Sequence, residues 1–194
     1  MRVRRFVGFV AAIQLILLAV HFLLYETWAF SPTGPGYGSG WLGVITGVLA
    51  VSFVGASLLA FRYSNAAVRL FYRGAAVWLG LLTFLSLAAA VCWIVFSAAQ
   101  LVGLSVNNFH GMAEWLFAGA IAAGVYGLVN AGATRITRAS VKLQNLPEAW
   151  RGRKAALVSD IHLGHVRNSG FLRGLVAKIV KEEPDAIFIA GDLF

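Results

Sequence analysis

Charge is scarce in this sequence. Only 12% of its 194 residues are charged and 59% are apolar, against about 25% charged residues in an ordinary soluble domain. That scarcity rules out a soluble domain for most of the chain and points to lipid. Cysteine is nearly absent as well. The lone Cys92 lies inside an apolar run, so a disulfide framework is excluded and no role attaches to it. Carboxylates are half as frequent as basic residues, 8 against 16, leaving a net charge of +8. A nucleic-acid partner does not follow. The basic residues sit beside apolar stretches instead of forming a stripe on a folded face, a placement explained by membrane topology and anionic lipid.

The charge that is present is unevenly placed. Between Phe6 and Ala133 the ionisable acids and bases are Glu26, Arg62, Arg69, Arg73 and Glu114, whereas sixteen crowd into the segment from Thr134 to Phe194. Four stretches are long enough to cross a bilayer core of about 30 Å, which takes about 20 apolar residues in a helix. They run from about Phe6 to Tyr25, Trp41 to Phe61, Gly74 to Leu101 and Met112 to Ala131. The first follows a basic start, but its apolar run exceeds the roughly 7–15 residues of a cleaved signal, so it reads as a retained span.

Lysine and arginine set the expected orientation. Arg2, Arg4 and Arg5 precede the first span, Arg62, Arg69 and Arg73 lie between the second and third, and all the others follow the fourth. The connections 26–40 and 102–111 have none. An even number of spans with every basic residue on alternate sides places both termini in the cytoplasm. Trp28, Phe30, Tyr37 and Trp41 on the outer side, and Tyr63, Phe71 and Tyr72 on the inner, suit interfacial belts. The small pairs Gly43/Gly47, Ala120/Gly124 and Ala123/Gly127 allow close helix approach in a compact bundle. Gln14, His21 and Gln100 are polar positions within the spans, expected to hydrogen-bond neighbouring helices. His110 and Glu114 lie near the outer interface, where solvation is cheap.

The remaining segment reads differently. Val141 and Leu143 alternate with polar neighbours, as in a short strand. Leu146-Pro147 and Gly152 mark a turn-rich connection. Ala155 to Ser159 reads as a buried strand leading into Asp160-Ile161-His162-Leu163-Gly164. An amphipathic helix follows from about Ser169 to Glu183, capped by Asn168 or Ser169. Leu172, Leu175, Val176 and Ile179 share one face, and Pro184 is the stop. Ala186 to Ala190 is a second buried strand running into Gly191-Asp192. Strand, helix and strand at this length form one βαβ unit with parallel neighbouring strands.

Asp160, His162 and Asp192 then emerge at the carboxyl ends of parallel strands, where open α/β sheets place their sites. Two carboxylates and an imidazole together suit Mn, Fe or Zn, and Gly164 and Gly191 let backbone pass close to a metal or phosphate. Alone, each residue is ordinary: an aspartate after a strand is often a turn or cap. Their combination through one βαβ unit favours a divalent-metal site.

At these residues the chain resembles the calcineurin-like metallophosphoesterase family. Ser159-Asp160-Ile161-His162-Leu163-Gly164 and Ile189-Ala190-Gly191-Asp192-Leu193-Phe194 look like its first two motifs, with the closest likeness to a bacterial membrane-anchored branch. The resemblance covers roughly Ser140 to Phe194. It implies a four-layer αββα domain with two metals, one bound by Asp160 and His162 and both bridged by Asp192. The family's later motifs, Gly-Asn-His-Asp/Glu, a lone histidine and Gly-His-x-His, do not occur here. The acid-acting histidine and further ligands are therefore expected to be missing, and these 194 residues to be an inactive fragment.

The expected architecture is thus an all-α four-span region (1–133), a juxtamembrane linker with a first strand (134–153), and the opening βαβ of a phosphoesterase domain (154–194). The implied function is a membrane-anchored, metal-dependent phosphoesterase of the bacterial inner membrane. It would hydrolyse a phosphomonoester, phosphodiester or pyrophosphate, its substrate membrane-proximal or lipid-linked. The alternative from another class is a non-catalytic four-helix scaffold, sensor or small transporter with a vestigial tail.

Overall fold

The computed structural model describes residues 2–31, 40–163 and 169–192. Tyr37, Gly164, Asn168, Leu193 and Phe194 lie outside the described residues. The chain divides into two units, residues 1–132 and 133–194.

Among the described residues the first unit holds four helices: α1 (Arg2–Ala29), α2 (Gly40–Arg62), α3 (Ala66–Leu101) and α4 (Phe109–Gly132). All four are long and apolar enough to cross a membrane. Each outruns the apolar stretch that announces it, and at the starts of α3 and α4 a capping asparagine sets the boundary. The helix α3 begins eight residues before Gly74. Asn65 takes an extended conformation and its side chain accepts from the Val68 amide at 2.9 Å, satisfying one of the orphan donors of a helix start. Arg69 adds a bond from its guanidinium to the Ser64 carbonyl. Asn108 serves α4 in the same way, its Oδ1 accepting from Gly111 N at 2.9 Å.

Packing centres on α3, which contacts α1, α2 and α4, while α1 also packs on α2. One buried cluster joins Leu17 and Leu24 of α1, Leu82, Leu85, Ala88 and Ala89 of α3, and Phe117 of α4. Another gathers Cys92, Phe109 and Ala113. Gly124 marks a close approach of α4 to α3, since a Cβ there would come within 2.8 Å of Leu81 Cδ1. Gly43 sits beside Tyr25, whereas Gly47 and Gly127 have open space. Small residues thus bring helices close at two of the expected positions. Most other large apolar side chains of these helices are exposed, Phe9, Leu15, Val44, Ile94 and Val129 among them, as lipid-facing surfaces require.

The polar residues of α1 turn inward. Gln14 Nε2 donates to the Ala50 carbonyl of α2 at 3.0 Å. His21 is buried. Its Nδ1 donates to the Leu17 carbonyl at 2.7 Å and its Nε2 accepts from the Trp78 indole at 3.0 Å. The two bonds together require the neutral ring with its proton on Nδ1. Thr27, fully buried, donates to Leu23 O and accepts from the Trp93 indole at 3.0 Å. Each ties α1 to a neighbour, Gln14 to α2 and His21 and Thr27 to α3. Gln100 instead is exposed at the end of α3. Phe30 packs edge-on against Phe96 and Phe109 at 5.2 and 5.3 Å between centroids. The near-perpendicular geometry suits aromatic quadrupoles. His110 also does more than face solvent, its Nε2 donating to the Trp28 carbonyl at 3.3 Å.

The second unit contains β1 (Ala155–Ser159), α5 (Ser169–Lys181) and β2 (Ala186–Ala190), with a short 3-10 turn at Glu148–Trp150. The strands pair in parallel, Ala155 opposite Ala186 through Ser159 opposite Ala190. This is the expected βαβ unit. Four details differ. Residues 141–143 form no strand: Val141 and Leu143 are exposed in irregular backbone, without a partner ladder to fix them. The helix stops at Lys181, two residues early, as Glu182 and Glu183 tighten onto Ile179 and Val180 carbonyls and Glu183 enters the left-handed region. Its inward face is Phe171, Leu172, Leu175 and Ile179, while Val176 is exposed. Nor are the strands buried. Only Ala156 and Val158 of β1 are half-covered, and Leu157 is 73% exposed. A two-stranded sheet with one helix leaves a face open, where a parallel sheet normally has both covered.

Ion pairs hold the ends of this unit. Arg138 grips Glu182 with two bonds of 2.9 and 2.6 Å, and Lys178 Nζ donates to Thr134 O at 2.9 Å. The segment at 134–138 is thereby clipped to α5. Asp185 accepts from the Lys154 amide at 2.8 Å and from Arg153 at 2.6 Å, joining the entries of β1 and β2. The Arg138 hydrogen bond holds the Glu182 carboxyl below its ordinary range. The Lys154 amide, then Arg153, does the same for Asp185. Because both folded-state pKa values are depressed, their stabilisation is present above the unfolded carboxylate pKa of about 4 and is lost as pH falls through the folded values. Hydrogen exchange at β1 and β2, corrected for intrinsic rates, should show protection falling on acidification below about pH 4. Glu182→Gln with Asp185→Asn should flatten that dependence. Exposure and salt screening keep the effect modest.

Candidate metal centre

The carboxyl ends of β1 and β2 are built by continuing the strand pairing beyond the last ladder residues. Asp160 N donates to Ala190 O at 3.1 Å, and His162 N donates to Asp192 O at 3.1 Å. Two backbone bonds therefore place Asp160 and His162 alongside the segment that carries Asp192. Between the first two, Ile161 is buried at 4% exposure and anchors the turn, whereas Asp160, His162 and Asp192 are all exposed.

The backbone here is strained. Asp160 and His162 both lie in the left-handed region, with φ of 49° and 47°. Non-glycine residues rarely adopt it, and each such conformation costs about 1–3 kcal/mol, a strain that clusters at functional sites. Gly191, at φ 73°, bears no such cost. Its lack of a side chain matters twice, since a Cβ would overlap Asp160 Oδ1 and fall 3.0 Å from its Cγ. The Asp160 carboxylate occupies the space that the glycine leaves open.

The sequence-derived donors are thus on one sheet edge, and two carboxylates with an imidazole are a fitting donor set for a divalent ion. Their side chains are not drawn into a common cluster: among the described residues no three of His, Cys, Asp and Glu stand ready to hold a metal. The left-handed turn, the buried Ile161 between the two donors and the Asp185 junction were not read from the sequence. Ile161 had a signal, being apolar between two polar residues. The Asp185 junction had none beyond a Pro-Asp turn.

Comparison with known proteins gives a partial likeness. The chain is similar to a zebrafish (Danio rerio) "Transmembrane protein with metallophosphoesterase domain", 29% identical over 132 residues that cover 60% of this chain and 30% of the relative. That share of this chain exceeds the whole of residues 133–194, so the likeness reaches into the membrane helices. The chain spans about 30% of the length of the curated relative it matches. No family model matches it, and no solved structure does. The four apolar helices and this relative mark a membrane protein, with a distant link to phosphoesterases.

Proposed function

We propose that this protein is a membrane-anchored, metal-dependent phosphoesterase whose first donors are Asp160, His162 and Asp192. The observation that carries the reading is the paired strand ends, where Asp160 and His162 hydrogen-bond to the backbone of residues 190 and 192 and the Asp160 carboxylate rests over Gly191. The zebrafish relative, a transmembrane protein named for a metallophosphoesterase domain, supports it.

In this reading Asp160 and Asp192 offer anionic oxygens and His162 a ring nitrogen, all from rigid strand ends. Gly191 keeps the backbone out of the way. A divalent ion bound there, Mn, Fe or Zn, supplies a Lewis acid and an acidified water. The βαβ unit is then the opening of an αββα domain, and substrates are phosphate esters close to the bilayer. The lysine and arginine distribution supports cytoplasmic termini, hence a cytoplasmic active site.

Manganese titration of the detergent-purified protein, followed by the electron paramagnetic resonance of free Mn(II), tests the donor assignment. Weak saturable binding is expected, as three ligands leave positions for water. His162→Ala should weaken it about tenfold or more, a loss on the scale of metal-site changes. Equal binding by the variant would remove His162 from the site and favour a non-catalytic membrane role.

A further inference from the structure

The segment that follows α4 is neither a strand nor a plain linker. Residues 134–151, Thr-Arg-Ile-Thr-Arg-Ala-Ser-Val-Lys-Leu-Gln-Asn-Leu-Pro-Glu-Ala-Trp-Arg, contain four basic residues and one carboxylate. Apolar side chains are interleaved with them, and they point to solvent: Ile136, Val141, Leu143 and Trp150 are all exposed, Val141 by 72% and Leu143 by 62%. The backbone between Ala139 and Leu143 has no regular structure. Scattered single apolar residues are ordinary on a protein surface. Here they alternate with lysine and arginine in a stretch that begins directly after a membrane-capable helix.

We propose that residues 134–151 bind the lipid surface, with Lys142 on anionic headgroups and Val141, Leu143 and Trp150 set shallowly in the interface. Three observations choose lipid as the occupant. The charge is complementary, since juxtamembrane basic clusters are attracted to anionic leaflets. Trp150 is an amphipathic ring of the kind that settles at headgroup depth. The end of α4 at Gly132 leaves the segment within a few residues of a bilayer. Irregular backbone confines the insertion to the hydrated interface, because unpaired peptide groups are not tolerated in the hydrocarbon. The clips from Lys178 to Thr134 and from Arg138 to Glu182 fix the start of the segment on α5, so lipid contact also holds the βαβ unit. This inference depends on the chain spanning a membrane and not on the phosphoesterase reading.

The test places a nitroxide at Val141→Cys or Leu143→Cys in the whole chain, reconstituted into nanodiscs. Cys92 is fully buried and should remain unlabelled, as the chain without an added cysteine will report. Accessibility to oxygen is compared with accessibility to a water-soluble nickel complex. In discs of phosphatidylcholine mixed with phosphatidylglycerol, both labels should favour oxygen, while Ala177→Cys on α5 stays nickel-accessible. Lys142→Gln should shift the docked-to-free ratio about fivefold toward water, as should high salt in greater measure. Nickel accessibility that is high and identical in anionic and pure phosphatidylcholine discs would overturn the proposal. So would protection that ignores lipid charge and salt, which would mean that protein covers the segment.

Discussion

On the proposed function, Asp192→Ala is expected to reduce metal-dependent phosphodiester hydrolysis at least about a thousandfold in a protein that carries these residues within a complete phosphoesterase domain, and Asp160→Ala should match it. The magnitude follows from several kcal/mol of transition-state charge stabilisation that a bound ion provides. Both aspartates sit where the strand pairing ends, Asp160 on Ala190 O and Asp192 receiving the His162 amide. Neither forms part of the β1–β2 ladder itself. Removing their carboxylates should therefore leave the sheet intact. Asp185 is the internal control, because it lies at the opposite ends of the same strands and serves their junction. Asp185→Asn should retain activity within a few-fold while losing the acid-sensitive protection described above. Comparable turnover in Asp160→Ala and Asp192→Ala, measured with added manganese, would sink the phosphoesterase assignment. Equal loss in Asp185→Asn would show that all three act through folding.

What the sequence disclosed depends on how local the cause is. The four spans are written in runs of apolar residues, and the helices occur where those runs fall. The third and fourth start before their runs because Asn65 and Asn108, polar residues outside the runs, cap them. The βαβ unit was legible for a similar reason: two short apolar runs flank one amphipathic stretch, and Pro184 separates them. Its burial was not legible. An apolar run such as Ile187-Phe188-Ile189 states what a strand should face, but covering it takes other elements, and these three remain exposed among the described residues. Val141 and Leu143 carry alternation without a strand, since alternation supplies a face and only a partner supplies the ladder. The cross-helix bonds of His21 and Thr27 to Trp78 and Trp93 span 57 and 66 residues, which no local pattern encodes. For the candidate centre, residue types and strand ends were readable. The left-handed turn at Asp160 and His162 was not, because neither residue type requires it.

Gly191→Ala and Gly152→Ala make a pair that separates strain from displacement at that turn. Both glycines are left-handed, with φ of 73° and 74°. An alanine at either position should cost about 1–2 kcal/mol for the conformation alone. Among the described residues nothing lies within 4 Å of a Cβ added at Gly152, so conformational strain is the effect expected there. At Gly191 the Cβ would overlap the Asp160 carboxylate and reach 3.4 Å from its amide nitrogen, which pairs with Ala190 O. The backbone of Asp160 is held by that amide bond and by the buried Ile161 beside it, so the overlap is relieved by the exposed carboxylate swinging aside. Gly191→Ala should therefore move the Asp160 carboxylate as well as strain the turn. A shift of about 1 Å in a positioned group can cost about a hundredfold in rate. The expected outcome is similar loss of stability in both variants by hydrogen exchange at β1 and β2. Manganese affinity should fall only in Gly191→Ala. If Gly191→Ala bound manganese as tightly as Gly152→Ala, the Asp160 carboxylate would not be the donor that the open space beside Gly191 implies.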